Sequence, residues 1–115
     1  MSNSDETKRI AALNDAFRKN PADRRLGKTY MTAGVDALGP ELVALALAMV
    51  AGFETFTPDN DPHGEHDFGS FELDGRKLFW KIDYYDKADP DLGAEDPDNP
   101  STTERVLTIM LADEY

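Results

Sequence analysis

The residues best suited to chemistry lie in one acidic loop, which holds both histidines of the chain, His63 and His66. Carboxylate oxygens and imidazole nitrogens are common ligands of divalent cations such as zinc and manganese. The candidate metal ligands in this loop are Asp59, Asp61, Glu65 and His66. The spacing departs from a calcium-binding loop because Ser70 stands where the bidentate Glu is required. The alternative is that these acids only bond to their own backbone in turns.

A second candidate is general acid–base catalysis by His66 and Asp83. The Asp-Gly pair at 74–75 is typical of a two-residue hairpin turn. Counting outward from that turn places His66 opposite Asp83 on neighbouring strands. A carboxylate that orients an imidazole is the arrangement a general base needs. The alternative is a cross-strand pair that only fixes the register.

The elements that must position these residues predict an α+β fold in a single globular domain, residues 1–115. Two helices, 4–19 and 40–51, are expected to pack on one face of a small, mostly antiparallel sheet of about four strands. The strands are predicted at 28–33, 67–73, 76–85 and 105–112. Because the segment 42–51 is apolar on every side, the second helix is expected to be buried all round.

The hairpin pattern also predicts which strand face meets the core. The expected core residues are Phe71, Leu73, Leu78, Trp80 and Ile82. Gly69 would lie opposite Trp80 and leave room for its indole ring. The other face mixes aromatic and charged residues, which is unusual for a surface that only contacts water.

The charge of the chain is large and uneven. The formal net charge is -11, and residues 1–28 carry seven basic and four acidic groups. Residues 29–115 therefore carry a formal charge of −14. Such a field repels nucleic acid and anionic membranes, whereas it attracts basic protein surfaces. Solubility alone is the alternative explanation.

Several classes of protein are excluded or disfavoured by composition. The chain has no cysteine, which excludes disulfides, zinc–thiolate sites and cysteine nucleophiles. The N-terminus lacks an apolar signal core, so a cytoplasmic location is expected. The longest apolar run, 42–51, is too short to span a bilayer.

The acidic segment after the hairpin is the candidate partner-binding surface. Its carboxylates are Asp86, Asp89, Asp91, Glu95, Asp96 and Asp98. Spaced carboxylates can imitate the phosphates of DNA on the binding surface of a basic protein. Tyr85, Phe68 and Phe79 are the expected aromatic anchors. The segment itself, 86–103, is predicted to be an extended, solvated loop because it is rich in acids and proline.

Five phrases of the sequence resemble one bacterial family. They are YMTAG (30–34), ALGPE (37–41), FTPDNDPHGEHDFG (56–69), FWKIDYYD (79–86) and RVLTIMLADEY (105–115). The family is domain of unknown function 3768, and the resemblance runs from about Arg9 to the C-terminus. It implies no activity or cofactor, but it does imply genes carried on mobile elements beside antirestriction genes. An aromatic residue is frequent there in place of His63, which leaves His66 the stronger candidate.

Two functional expectations follow. The first is a small acidic module that binds and blocks a nucleic-acid-binding protein, as an antirestriction or anti-CRISPR-like DNA mimic would. It needs no cofactor, no membrane and no direct contact with nucleic acid. The second is a small enzyme, with or without a metal ion, whose His/Asp/Glu site lies in the 58–67 loop.

Overall fold

A computed structural model describes residues 2–115, with side chains from Asp5 onward, and shows an α+β fold. In chain order the elements are helix α1 (Ser2–Lys19), strand β1 (Lys28–Met31), short helix α2 (Ala33–Asp36), helix α3 (Pro40–Ala51), strands β2 (Phe68–Leu73), β3 (Arg76–Asp86) and β4 (Thr103–Leu111), and a final 3-10 helix (Ala112–Glu114). Among the described residues, no helix is both long and apolar enough to cross a membrane.

The four strands form one mixed sheet in the order β1-β4-β3-β2. β3 is antiparallel to both of its neighbours, whereas β1 runs parallel to β4. The sheet is therefore mixed, with two antiparallel pairings and one parallel pairing. As expected for a strand with apolar residues on both faces, β4 lies inside the sheet.

The hairpin of β2 and β3 has the predicted register. Asp74 and Gly75 both have positive φ, 53° and 76°, which suits the residue types that tolerate this conformation. The pairing continues outward without a break as far as Phe68 and Lys81. A Cβ at Gly69 would lie 2.5 Å from the indole Nε1 of Trp80, so this glycine makes room for the ring.

One buried cluster joins the helices to the sheet. Its strand residues include four of the five predicted core positions, namely Leu73, Leu78, Trp80 and Ile82. Phe71, the fifth, is half-buried and packs against the cluster. Phe17 of α1 and Val50 of α3 belong to the same cluster and are fully buried.

The prediction that α3 is buried all round is wrong. Ala46 and Val50 are fully buried, but Leu45 is 48% exposed. Ala44 and Ala48 are also exposed. A helix that packs on a sheet has only one side in contact with it. Burial of the other side of α3 would also be favourable, but no neighbouring element in the described part of the chain covers that side.

The acidic segment is a mostly exposed loop, as predicted, but it is not extended. It folds back along β3, where Tyr85 and Gly93 form an isolated antiparallel bridge. The Asp86 amide donates to the Leu92 carbonyl at 2.9 Å, and the Ala94 amide donates to the Tyr84 carbonyl at 3.2 Å. Because β3 is longer than β2, its last residues leave backbone groups that this segment pairs.

Candidate functional site

The predicted pairing of His66 with Asp83 is wrong. His66 has a φ of 57° and lies before Asp67, outside β2, which begins at Phe68. The alternation of strand side chains therefore does not extend to it. Its Nδ1 lies 3.0 Å from a carboxylate oxygen of Asp15 on α1. Asp83 instead accepts from the ammonium of Lys81 at 3.1 Å.

The His66 ring is held on two further sides. It stacks on Phe56 with ring centroids 4.0 Å apart and planes 2° from parallel. The buried carboxylate of Asp61 accepts the backbone amide of His66 at 3.3 Å. Its Oδ2 also lies 3.9 Å from His66 Nε2. Carboxylates therefore face both nitrogens of the ring.

Arg18 connects this cluster to the core. Its guanidinium is almost fully buried and donates to Asp15 at 2.5 Å. It also donates to the carbonyls of Val50 at 2.7 Å and Phe53 at 3.1 Å, near the C-terminal end of α3. The Val50 carbonyl also accepts from the Phe53 amide at 3.3 Å, so Arg18 adds a second donor there and supplies a charged donor to the Phe53 carbonyl.

A shallow cleft of about 190 Å³ opens beside His66. It is lined by Asp15, Arg18, Lys19, Phe53, Glu54, Phe56 and His66. Pockets that enclose small molecules typically measure about 300–1,000 Å³. The cleft is too small to surround a substrate of ordinary size.

The four candidate metal ligands are engaged separately. Asp59 is exposed, Asp61 accepts the backbone amide of His66, and the ring of His66 contacts Asp15. Glu65 accepts from the hydroxyl of Tyr84 at 2.9 Å. Within residues 2–115, no group of three or more His, Asp or Glu side chains is arranged to hold a metal ion. The metal site stays a prediction.

Carboxylates crowd the end of this loop. Burial, reinforced by the negative charges of Glu65 and Asp61, raises the pKa of Asp67 above its ordinary value. Burial likewise raises the pKa of Tyr84 strongly, which keeps its hydroxyl protonated and able to donate to Glu65.

Both acidic segments are attached to the same edge of β3. The Ile82 amide donates to the carbonyl of Asp67 at 2.9 Å, and the Tyr84 carbonyl accepts from Ala94. Alternate residues of a strand direct their backbone groups to the same side. Asp67 of the histidine loop (58–67) and Ala94 of the acidic segment are therefore attached to one edge of β3, as a contiguous acidic surface would require.

The predicted partner-binding carboxylates differ in availability. Asp91, Glu95 and Asp96 are exposed. Asp86 and Asp89 accept backbone amides within the segment, from Ala88 and Asp91 respectively. Asp98 is bound by the guanidinium of Arg9 at 2.9 Å, which offsets its charge.

The predicted aromatic anchors are also divided. Tyr85 is 36% exposed, but Phe68 and Phe79 are half-buried and form an aromatic cluster with Tyr115. Two more exposed side chains were missed: Leu92, 56% exposed within the acidic segment, and Tyr30, 54% exposed on β1. Leu92 could have been found, since it is the one large apolar residue between residues 86 and 103.

Sequence reasoning also missed two buried polar residues of α1. Asn14 and Arg18 follow Ile10 at intervals of four, so they fall on the apolar stripe of the helix. Both are buried. A polar side chain on an apolar stripe indicates a specific buried partner, and that signal was available in the sequence.

The chain belongs to a family of proteins of unknown function, DUF3768, whose model matches residues 31–114. The predicted family is thereby confirmed, although the match begins after α1 and so later than the expected start near Arg9. No curated protein and no solved structure matches the chain.

Replacing Asp15 by Asn tests the observed histidine pairing. The ring resonances of His66 should shift because Nδ1 loses its carboxylate neighbour. The free energy of unfolding should fall by about 1–3 kcal/mol because buried Arg18 loses its charged partner. Side-chain NMR at fixed pH and urea denaturation measure the two effects. Asp83→Asn is the control, and a His66 shift in that variant alone would contradict the geometry.

Replacing Asp67 by Asn should stabilise the protein at neutral pH. A raised folded pKa means that the folded state holds this proton more tightly, so stability declines as pH rises from the ordinary value of 3.8 through the folded value. The variant removes the charge that causes this decline. Its melting temperature should exceed that of the wild type at pH 7, and the difference should vanish at about pH 3. Asp59→Asn, which removes an exposed charge from the same loop, should show a smaller difference.

Proposed function

We propose that this protein binds a basic, nucleic-acid-binding protein in the cytoplasm and blocks its surface as a DNA mimic. An antirestriction or anti-CRISPR-like inhibitor would act in this way. The observation that carries the proposal is the attachment of two acidic segments to one edge of β3. With a formal charge of −14 on residues 29–115, that edge presents carboxylates where a basic partner would otherwise meet phosphates.

The arrangement of the layers supports the same proposal. We infer that α1 and α3 cover one face of the sheet, because Phe17 and Val50 share a buried cluster with Trp80. Tyr30 and Tyr85 are exposed, and their register places them on the face opposite Trp80. Exposed tyrosines beside acids supply the anchors that binding surfaces use.

A groove of about 380 Å³ joins the open face to the acidic segment. It is lined by Lys28, Tyr30, Tyr85, Asp86, Lys87, Pro90, Glu104 and Val106. Its two lysines and two carboxylates balance, so the groove adds shape and aromatic surface to the proposed interface, whereas the negative charge comes from the segment beyond it.

Neutralising the exposed acids of the segment tests the proposal. The triple variant Asp91→Asn, Glu95→Gln, Asp96→Asn should weaken capture of a basic, DNA-binding partner by at least about tenfold, because local charge pairs are lost. Capture by the wild type should also decline as salt is raised. Pull-down with the purified protein, followed by titration of the recovered partner, measures both effects.

The matched control neutralises three exposed acids elsewhere, Asp36→Asn, Glu41→Gln and Asp74→Asn. It has the same net charge as the test variant and should bind nearly as well as the wild type. Equal loss in both variants would show that net charge alone matters and would contradict mimicry by this surface. Recovery of only acidic or neutral partners would contradict it as well.

A small enzyme is the second candidate, favoured by the pairing of His66 with Asp15. A carboxylate at Nδ1 fixes the tautomer of an imidazole that acts as a base. A metal-assisted version requires the melting temperature to rise with zinc, manganese or calcium, and His66→Ala must abolish that rise. An unchanged melting temperature with all three ions would contradict a metal-assisted enzyme.

A further inference from the structure

The acidic segment is held to the body of the protein by one buried cation, Arg105 of β4. Its side chain is almost fully enclosed, since Arg105 is 2% exposed. One guanidinium nitrogen, Nε, donates to the Asn14 amide oxygen at 2.8 Å, and another donates to the backbone carbonyl of Pro97 in the segment. The guanidinium also lies over the ring of Tyr84, 5.2 Å from its centroid.

Burial of the Arg105 charge costs folding free energy that an apolar side chain at this position would not cost. Among the described residues, no carboxylate lies within salt-bridge distance of Arg105, and both of its hydrogen-bond acceptors are neutral. Burial accordingly lowers the pKa of Arg105. The charges of Glu65 and Asp98 offset part of this lowering of the pKa, but neither carboxylate pairs with Arg105, so burial of the cation opposes folding. The guanidinium can nevertheless fix the position of the segment, because its planar group donates to α1 and to the acidic segment at the same time.

The neighbours of Pro97 are held in the same way. The buried hydroxyl of Thr103 donates to the Asp96 carbonyl at 2.9 Å. Arg9 donates to the Asp98 carboxylate through two nitrogens, at 2.9 and 3.1 Å. Three consecutive residues of the segment, 96–98, are therefore tied to the body, the first two to β4 and the third to α1.

We propose that Arg105 is a positioning residue, which fixes the turn at 96–99 so that the acidic surface exists before a partner arrives. This inference rests on the proposed function. An acidic, proline-rich segment would otherwise be self-repelling and disordered. Ordering such a segment during association costs affinity, whereas a surface already in its bound shape avoids that cost.

Hydrogen exchange in the free protein tests the positioning without any partner. In Arg105→Lys the charge stays but the fork is lost, so the hydrogen-bonded amides of Ala94, Asn99, Thr102 and Thr103 should exchange at least about tenfold faster relative to those of Trp80 and Ile82 in β3. Thr103→Val removes one tie without changing core volume, and it should accelerate the same amides. It decides the outcome if Arg105→Lys does not fold. The control Arg25→Lys alters an exposed arginine and should leave exchange unchanged.

Two results would overturn the inference. Unchanged exchange in the segment would show that Arg105 does not position it. Equal acceleration in the segment and in β3 would show that Arg105 only stabilises the fold.

Partner capture then tests the link to function separately. Arg105→Lys has the net charge of the wild type, so recovery of the basic partner should fall only through loss of the fixed surface. Faster exchange with undiminished recovery would overturn the functional link. The exchange experiment needs no partner, so its result does not depend on the proposed function. Failure of the proposed function would instead appear as the absence of any basic partner for the wild type.

Discussion

The side-chain amide of Asn14 connects α1 to segments that lie far away in the sequence. Asn14 is completely buried. It donates to the backbone carbonyl of Glu65 and to the hydroxyl of Tyr84, and it accepts from Arg105. Because one small amide satisfies all three, the helix, the histidine loop, β3 and β4 can be arranged in only one way. A buried network of this kind is favourable only when every member is paired.

That network determines where both acidic segments lie. Through Tyr84 it bonds to Glu65, and through Arg105 it reaches Pro97. Two basic residues of the N-terminal part face acids of the remainder, since Arg9 binds Asp98 and Arg24 lies 4.0 Å from Glu104. The uneven charge of the sequence is thus compensated inside the chain at these two places.

The elements with local causes were predictable from the sequence. The turn at Asp74 and Gly75 determined a register that holds through Phe68, and the space at Gly69 followed from that register. His66 was misplaced because one residue with positive φ ends the alternation on which the pairing with Asp83 depended. Positive φ is uncommon for a residue other than glycine, even though histidine adopts it more often than most, so the strand pattern did not indicate it.

The remaining errors concern contacts between distant segments. The parallel pairing of β1 with β4 joins residues separated by most of the chain, and no turn in the sequence specifies it. The outer side of α3 is open although its sequence is apolar, because burial depends on what else is nearby. The partners of Asn14 and Arg105 are equally distant. The sequence could mark these two residues as unusual without saying what they bind.

The return of the acidic segment along β3 also bears on how the protein avoids self-association. β3 extends past the start of β2, and its final residues would form an open strand edge. Such edges pair readily with other chains and lead to aggregation. Here the bridge between Tyr85 and Gly93 occupies that edge with the protein's own backbone, and the surrounding carboxylates repel further copies. The segment therefore closes this part of the sheet edge to pairing with another chain.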